Sequence, residues 1–157
     1  MKKCLLCLLL AACGFQPMFA EKNTDIYVAP INGINGIELR NHLNAKFGGQ
    51  HSEDAQYTLK VVLDVPKTQY KALERTGDAT WQQISIRASY SLQRDGTVIA
   101  SGTEQAAESY TFVRYLVASN ASYNNAVQNI ITVLADKISL RAIAEAAKNQ
   151  TTDAPKE

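Results

Sequence analysis

Two stretches of strict alternation between apolar and polar residues limit the folds that this sequence can adopt. The first series is Tyr57, Leu59, Val61, Leu63 and Val65, and the second is Ile84, Ile86, Ala88, Tyr90 and Leu92. A period of two residues is typical of a strand that buries one side and exposes the other. The sequence therefore predicts a sheet with one face in the core. Pro66, which has no N–H group, ends the first strand, distorts it or confines it to an edge.

A hairpin turn follows the second alternating series. Asp95-Gly96 is typical of a two-residue turn, because both turn positions require a positive φ. Such a turn predicts a returning strand over about residues 97–108. The expected pairs are Leu92 with Ile99 and Tyr90 with Ser101.

Two segments have helical patterns. In the first, Asn35 and Glu38 have the spacing of a capping box, and Gly48-Gly49 is expected to end the helix. The apolar stripe between them is Leu39, Leu43 and Phe47. The second helix is predicted over about residues 123–147, after a loop of about 110–122. Its core face has the spacing i, i+4, i+7, i+11 and consists of Val127, Ile131, Leu134 and Ile138.

The order of these elements predicts the fold class. A short strand over residues 25–30 precedes the first helix, so the order is β-α-β-β-β-α. We therefore expect an α+β domain with two helices packed on one face of a four-stranded, mostly antiparallel sheet.

Residues 1–12 have the features of a lipoprotein signal peptide. Lys2 and Lys3 precede an apolar run over residues 5–10, which is far shorter than the roughly 18–20 residues that span a bilayer. Leu10-Ala11-Ala12-Cys13 then matches a lipobox, whose cysteine thiol takes a diacylglycerol. An uncleaved membrane anchor is one alternative. Cys4-x-x-Cys7 also has the spacing of a redox or zinc pair, although it lies inside the apolar run.

The lipobox divides the chain into segments. These are a signal peptide (1–12), a lipidated tether (13–24), an α+β domain (25–148) and a disordered tail (149–157). Cleavage removes two of the three cysteines and acylation uses Cys13, so we expect a domain without a disulfide. Gly14, in place of an aspartate, favours the outer membrane over retention in the inner one. We expect an outer-membrane lipoprotein, held on the periplasmic side by several acyl chains such as palmitate.

The chemistry of the sequence argues against an enzyme. No GxSxG, HExxH or glycine-rich phosphate loop is present. Two histidines are candidate general bases: His42 lies four residues after Glu38 as a surface pair, and His51 lies in a polar loop. The formal net charge is +1, and no basic stripe with interleaved aromatic residues indicates nucleic-acid binding. We expect no catalytic residue, no metal site and no cofactor.

Two features exceed what folding requires. Val133 and Leu140 fall off the core stripe of the last helix, and either form a partner interface or are scattered exposed apolar residues. Lys71 and Arg75 lie in residues 67–79, interpreted as a polar hairpin region. These two cations either bind an anionic ligand or belong to a solvated turn.

Several segments resemble a known family. Cys13-Gly14-Phe15-Gln16-Pro17-Met18-Phe19 resembles the start of the mature lipopolysaccharide-assembly lipoprotein LptE in its alphaproteobacterial form. Glu38-Leu39-Arg40-Asn41-x-Leu43 is similar to the first helix of that family. Diffuse similarity continues at Tyr57-x-Leu59-x-Val61, at residues 88–92 and at Ala121-Ser122-Tyr123-Asn124. The resemblance covers nearly all of the mature chain.

The resemblance implies a plug inside the lumen of an LptD-type β-barrel, which assists barrel assembly and lipopolysaccharide transport to the cell surface. It also implies that Arg75 matches a basic lipopolysaccharide-binding residue of the family, with Lys71 nearby. A second basic residue of the family has no counterpart here, since this region reads Ser119-Asn120-Ala121-Ser122. The alternative is an accessory lipoprotein of an ABC-type lipid-transport system, whose partners are an ATPase and a permease.

Overall fold

The computed structural model describes residues 25–73, 79–111 and 116–152, which form two helices and a sheet of five strands. In chain order the elements are β1 (Ile26–Val28), α1 (Ile34–Lys46), β2 (Tyr57–Leu63), β3 (Lys67–Leu73), β4 (Ala79–Arg94), β5 (Thr97–Thr111) and α2 (Leu116–Thr152). The α+β class is confirmed. The sheet has one strand more than predicted, because residues 67–73 form β3 instead of part of a polar hairpin region.

Strand β4 organises the sheet. On one side, β5 pairs with β4 from Trp81 opposite Thr111 to Arg94 opposite Thr97. On the other side, β2 pairs with residues 88–94 and β3 with residues 79–85, both antiparallel. β1 is added to β2 in parallel. The five strands therefore occupy four positions across the sheet, because β2 and β3 share one edge of β4.

The segment between β2 and β3 changes which side chains face the core. Leu63 lies opposite Ala88 and Lys67 opposite Ser85, so this segment uses one residue more than β4 over the same interval. One extra residue and a proline are typical of a β-bulge. Val65, predicted to continue the buried series, lies in this segment and is exposed. The alternation of β2 would place Lys67 on the core side, but the extra residue places it beside Ser85 on the other face.

The turn between β4 and β5 is confirmed, but the predicted register is wrong by one residue. Asp95 and Gly96 have φ values of 50° and 78°, as a two-residue hairpin turn requires. The register shifts shortly after the turn, so that Leu92 pairs with Ala100 and Tyr90 with Gly102, not with Ile99 and Ser101. Ile99 is the extra residue of a bulge, and a regular alternating pattern does not reveal such an insertion.

Helix α1 begins without the predicted capping box. Gly33 is its N-cap, with a φ of 83° and no side-chain hydrogen bond to the first N–H groups. Asn35 lies inside the first turn, which is too late in the helix to cap it. Glu38 instead accepts a hydrogen bond from Gln128 of α2 at 2.6 Å. The end of the helix is as predicted, with positive φ values at Gly48 and Gly49.

Helix α2 is longer than predicted at both ends. It begins at Leu116, inside the segment interpreted as a loop. The sequence pattern did not predict this part of the helix, because residues 117–122 are mostly polar or exposed and show no apolar stripe. It continues to Thr152, so residues 149–152 are its last turn and not part of a tail. Residues 153–157 lie outside the described residues.

Both helices pack on one face of the sheet, as predicted. α2 packs on β5, β4 and α1, and α1 also contacts β1. The predicted core residues of the helices are buried: Leu39, Leu43, Phe47, Val127, Ile131, Leu134 and Ile138. Each such side chain contributes about 1.5–3 kcal/mol through removal of its apolar surface from water. No helix of the described residues covers the opposite face of the sheet.

Candidate functional site

A groove runs between α2 and β5. Its wall on α2 is Lys137, Leu140, Arg141 and Ala144, its wall on the sheet is Glu104, and its volume is about 560 Å³. Leu140 is 53% exposed and Val133, on the same stripe of the helix, is 43% exposed. Both residues therefore lie off the core, as their spacing predicts, and Leu140 faces a groove with charged walls.

Polar contacts hold α2 over β5. Lys137 Nζ donates to the backbone oxygen of Gln105 at 2.8 Å. Arg141 forms an ion pair with Glu104, and Asn129 Nδ2 donates to Glu108 Oε1 at 2.9 Å. Because Lys137 contacts a neutral carbonyl group, its charge is not compensated by that contact. The groove therefore combines apolar side chains with a cation.

The uncovered face of the sheet is polar and carries three cations. It consists largely of serine, threonine and glutamine side chains from alternate positions of β4 and β5. Lys60 lies opposite Ser91 and Lys67 opposite Ser85, and Arg87 is exposed between them on β4. Sequence reasoning missed this cluster. Strand alternation indicates the outward side of Lys60 and Arg87, but only the extra residue before β3 brings Lys67 to the same face.

Lys71, a predicted ligand-binding residue, lies at the end of the sheet that is formed by β3 and the first residues of β4. It is exposed on β3, at a register shift between Tyr70 and Ala72, and its Nζ donates to Gln69 Oε1 at 3.3 Å. Trp81 and Tyr70 are exposed near this end of the sheet, on β4 and β3. Lys71 therefore lies near exposed aromatic side chains at this end of the sheet. Arg75 lies outside the described residues.

The two predicted sites are not brought together. Lys71 lies in β3 next to the segment of β4 around Gln82. Glu104, which lines the groove beside Leu140, pairs with Ala88 near the middle of β4. β3 and β5 also flank β4 on opposite sides, so Lys71 and the groove on α2 belong to separate surfaces.

A polar aromatic cluster closes the core near the β3 end of the sheet. The hydroxyl group of Tyr110 donates to Oε1 of the buried Gln82 at 2.6 Å. The ring of Tyr110 meets the ring of Tyr123 edge-to-face, with 6.2 Å between centroids. Burial raises the pKa of Tyr110 above its ordinary value of 10.0, and the neighbouring Tyr123 and Tyr70 act in the same direction. This cluster joins α2 to the sheet.

The two histidines have structural contacts. His42 Nε2 lies 3.9 Å from Glu38 Oε1 on the surface of α1, as the spacing predicts. His51 lies 3.3 Å from Asp25 through Nδ1 and 3.1 Å from the backbone oxygen of Phe47 through Nε2. His51 therefore links the start of β1 to the end of α1.

Several predicted features lie outside the described residues. Cys13, the signal peptide and the tether all precede residue 25. Over residues 25–73, 79–111 and 116–152, no group of three or more histidine, cysteine or acidic residues could hold a metal ion. Over the same ranges, no helix is long and apolar enough to span a membrane.

Comparison with known proteins identifies the fold. No protein-family model matches the chain, and no curated protein sequence is similar to it. A lipoprotein from Caulobacter crescentus CB15 is similar in structure, with a TM-score of 0.62 and 16% identity over 80% of this chain and 92% of that one. The rare lipoprotein B from Shewanella oneidensis has a TM-score of 0.61 and 14% identity, over 81% of this chain and 97% of that one.

A minor lipoprotein from Acinetobacter baumannii is similar to the same extent. Its TM-score is 0.60, with 17% identity over 80% of this chain and 93% of that one. At these identities the likeness concerns the fold, and it includes nearly the whole length of each of the three proteins. The chain has the α+β fold of these bacterial lipoproteins.

Proposed function

We propose that this chain is an outer-membrane lipoprotein that plugs and helps assemble an LptD-type β-barrel and takes part in lipopolysaccharide transport to the cell surface. The lipobox at Cys13 supports the lipid anchor. The fold shared with three lipoproteins supports the lipoprotein class. The resemblance of residues 13–19 and 38–43 to the LptE family supports the specific role.

The observation that carries the proposal is the uncovered face of the sheet. A sheet that is covered on one face leaves its other face to water, and that face is usually polar. A polar face also suits the interior of a β-barrel, which is polar. The face with Lys60, Lys67 and Arg87 offers hydroxyl, amide and cationic groups over the width of β2 to β5. Such a surface can form hydrogen bonds with a polar barrel wall. We propose a non-enzymatic role for it.

We propose that lipopolysaccharide contacts the end of the sheet that is formed by β3 and the first residues of β4. Lys71 is exposed there, and the resemblance matches Arg75, four residues further along the chain, to a basic residue of the family. Cations pair with the phosphate groups of lipid A, although one exposed pair contributes only about 0–1 kcal/mol. The segment Ser119-Asn120-Ala121-Ser122, where the family has a second basic residue, lies in the first turns of α2 and offers no cation. Binding of lipopolysaccharide by this chain therefore rests on one end of the domain.

In-cell photo-crosslinking tests the proposal. A benzophenone amino acid is introduced at Ser89, in the centre of the uncovered face, and the lipidated protein is isolated from outer membranes by an affinity tag. We expect a covalent adduct with a large outer-membrane β-barrel. The matched control position is Asn41, which is exposed on α1.

The identity of the captured protein decides the outcome. A barrel captured from Ser89 and not from Asn41 supports a plug oriented by its sheet. Capture of a permease or its ATPase would replace the proposal with an accessory role in ABC-type lipid transport. Equal capture of the barrel from both positions would contradict the assignment of the sheet face.

A further inference from the structure

The outer edge of β5 is the longest open edge of the sheet. β5 has 15 residues, whereas strands commonly have about five to six. Among the described residues, no backbone group of another strand pairs with this edge. The opposite edge is different: β1 has 3 residues, and Arg40 Nε donates to the oxygen of Val28 at 2.9 Å. Short or covered edges are the usual protection against added strands, and β5 has a long edge instead.

The hydrogen bonds of β4 determine which residues of β5 point outward. The backbone oxygen of Arg87 accepts a hydrogen bond from the N–H group of Asp64 at 2.9 Å, so Arg87 directs its backbone groups toward β2. Gln105, opposite Arg87, therefore directs its own N–H and C=O groups away from β4. Thr103 and Ala107, two residues to either side, point in the same direction. These residues form a regular row of donors and acceptors.

A lysine occupies the acceptor at the centre of this row. Lys137 Nζ donates to the oxygen of Gln105, in the position where an N–H group of an added strand would donate. No carboxylate of the described residues forms an ion pair with Lys137. An added strand that took this acceptor would release the ammonium group, which could then pair with an acidic side chain on that strand.

We propose that the β5 edge accepts an extended segment of a partner protein as an additional strand, with an acidic side chain at Lys137 and an apolar side chain against Leu140 and Ala144. Strand addition uses backbone hydrogen bonds for affinity and alternate side chains for specificity. Residues 97–111 contain no lysine or proline, and the bulge at Ile99 lies near the turn and away from Gln105. The two acidic residues of the strand, Glu104 and Glu108, have partners on α2. The groove beside the edge supplies both an apolar contact and a cation.

The charges favour an acidic partner over a second copy of this chain. Two copies that paired antiparallel around Gln105 would bring their Lys137 side chains together near the two-fold axis. Like charges at that position oppose self-association. An acidic side chain meets Lys137 with an attractive interaction, and the carboxylate of Glu104 in the same groove is already paired with Arg141.

Amide hydrogen exchange with a defined peptide tests this inference. The probe is a short synthetic peptide that alternates threonine and valine around a central aspartate, added to the full chain in mild detergent. We expect slower exchange at Thr103 and Ala107, whose N–H groups point outward, and unchanged exchange at Ala106, which already faces β4. A peptide with a central lysine should bind up to about fivefold more weakly, as for loss of an exposed ion pair.

Two controls distinguish strand addition from non-specific adhesion of the peptide to the protein surface. The peptide with alternate N-methyl groups lacks donors toward β5 and should not protect Thr103. Thr103→Pro removes an outward N–H group and should abolish binding, whereas Thr103→Val keeps that group and should bind as the wild type does. Lys137→Met should remove the preference for aspartate over lysine in the peptide.

Three results would overturn the inference. One is equal binding of the N-methylated peptide, and another is protection at Ala106 as large as at Thr103. The third is protection of Thr103 that rises with protein concentration in the absence of peptide, which would assign the edge to a second copy of the chain. None of these results depends on the proposed contact with lipopolysaccharide.

Discussion

The ring of Tyr90 occupies the space that a side chain at Gly102 would need across the β4–β5 ladder. A Cβ atom at position 102 would lie 2.8 Å from Tyr90 Oη and 2.9 Å from its Cζ atom. Tyr90 is buried against this position, and burial raises the pKa of its hydroxyl group. The bulge at Ile99 creates this pair, because without it Tyr90 would lie opposite Ser101.

Gly102→Val should destabilise the domain by about 1–3 kcal/mol, because the added methyl groups overlap the ring of Tyr90. Urea unfolding measures the change. Ser101→Val is the control: this residue is exposed, so its substitution should change stability by less than about 0.5 kcal/mol. The cost of Gly102→Val should shrink in a Tyr90→Ala background. Equal costs in both backgrounds would show that the ring does not limit position 102.

Tyr110→Phe should cost about 1–3 kcal/mol at neutral pH, because the buried Oε1 of Gln82 loses its donor. The hydroxyl group also has a raised pKa in the folded state, with an ordinary value of 10.0. Its contribution to stability is therefore complete below about pH 10 and is lost as the pH rises through the folded-state pKa. Above pH 10 the variant should lose stability less steeply than the wild type. Tyr70→Phe, at an exposed residue, is the control at neutral pH. Parallel alkaline profiles would contradict the assignment.

Val133→Asp combined with Leu140→Asp should weaken partner assembly more than it weakens the domain. Both side chains are about half exposed on α2, so a carboxylate at either position stays in water. Thermal unfolding and co-purification of the barrel are the two measurements. Leu134→Ala, at a fully buried residue of the same helix, should cost about 2–5 kcal/mol. A loss of stability in the double variant as large as that of Leu134→Ala would place both residues in the core.

Arg75→Glu should reduce binding of lipopolysaccharide while leaving stability nearly unchanged, because charge reversal turns attraction to phosphate into repulsion. The difference should shrink as salt concentration rises, since exposed charges are screened. Lys71→Glu should have a smaller effect, because Lys71 is assigned by proximity alone. Retention on immobilised lipopolysaccharide at low and high salt is the measurement. Equal retention of the wild type and Arg75→Glu at both salt concentrations would remove the lipid site from this hairpin.

Cys13→Ser should leave a folded domain that is released from the membrane. The described residues contain no cysteine, so their core uses no sulfur chemistry. Fractionation of cells should recover the variant as soluble periplasmic protein with the melting temperature of the lipidated form. A variant that reached the periplasm but failed to fold would show that residue 13 contributes to the core.

The spacing of apolar residues along the sequence predicted those strands and helices that bury a regular stripe of apolar side chains. The series in β2 and β4 are strands, the Asp95-Gly96 turn has the expected backbone, and the core stripe of α2 is buried. In each case side chains a fixed number of residues apart must share one face, so that the period reveals the structure. The same reasoning placed Val133 and Leu140 off the core.

Tertiary structure decided what depends on residues distant in sequence. β3 is a strand because β4 pairs with it, not because Lys67-Thr68-Gln69-Tyr70 has a strand pattern. The extra residue before β3 and the bulge at Ile99 change the faces of all residues beyond them, since strand side chains alternate with a period of two. The contact of Lys137 with the edge of β5 exists only once α2 has packed on the sheet. The sequence by itself determined which segments bury an apolar face, and pairing between distant strands determined which polar groups remain available for a partner.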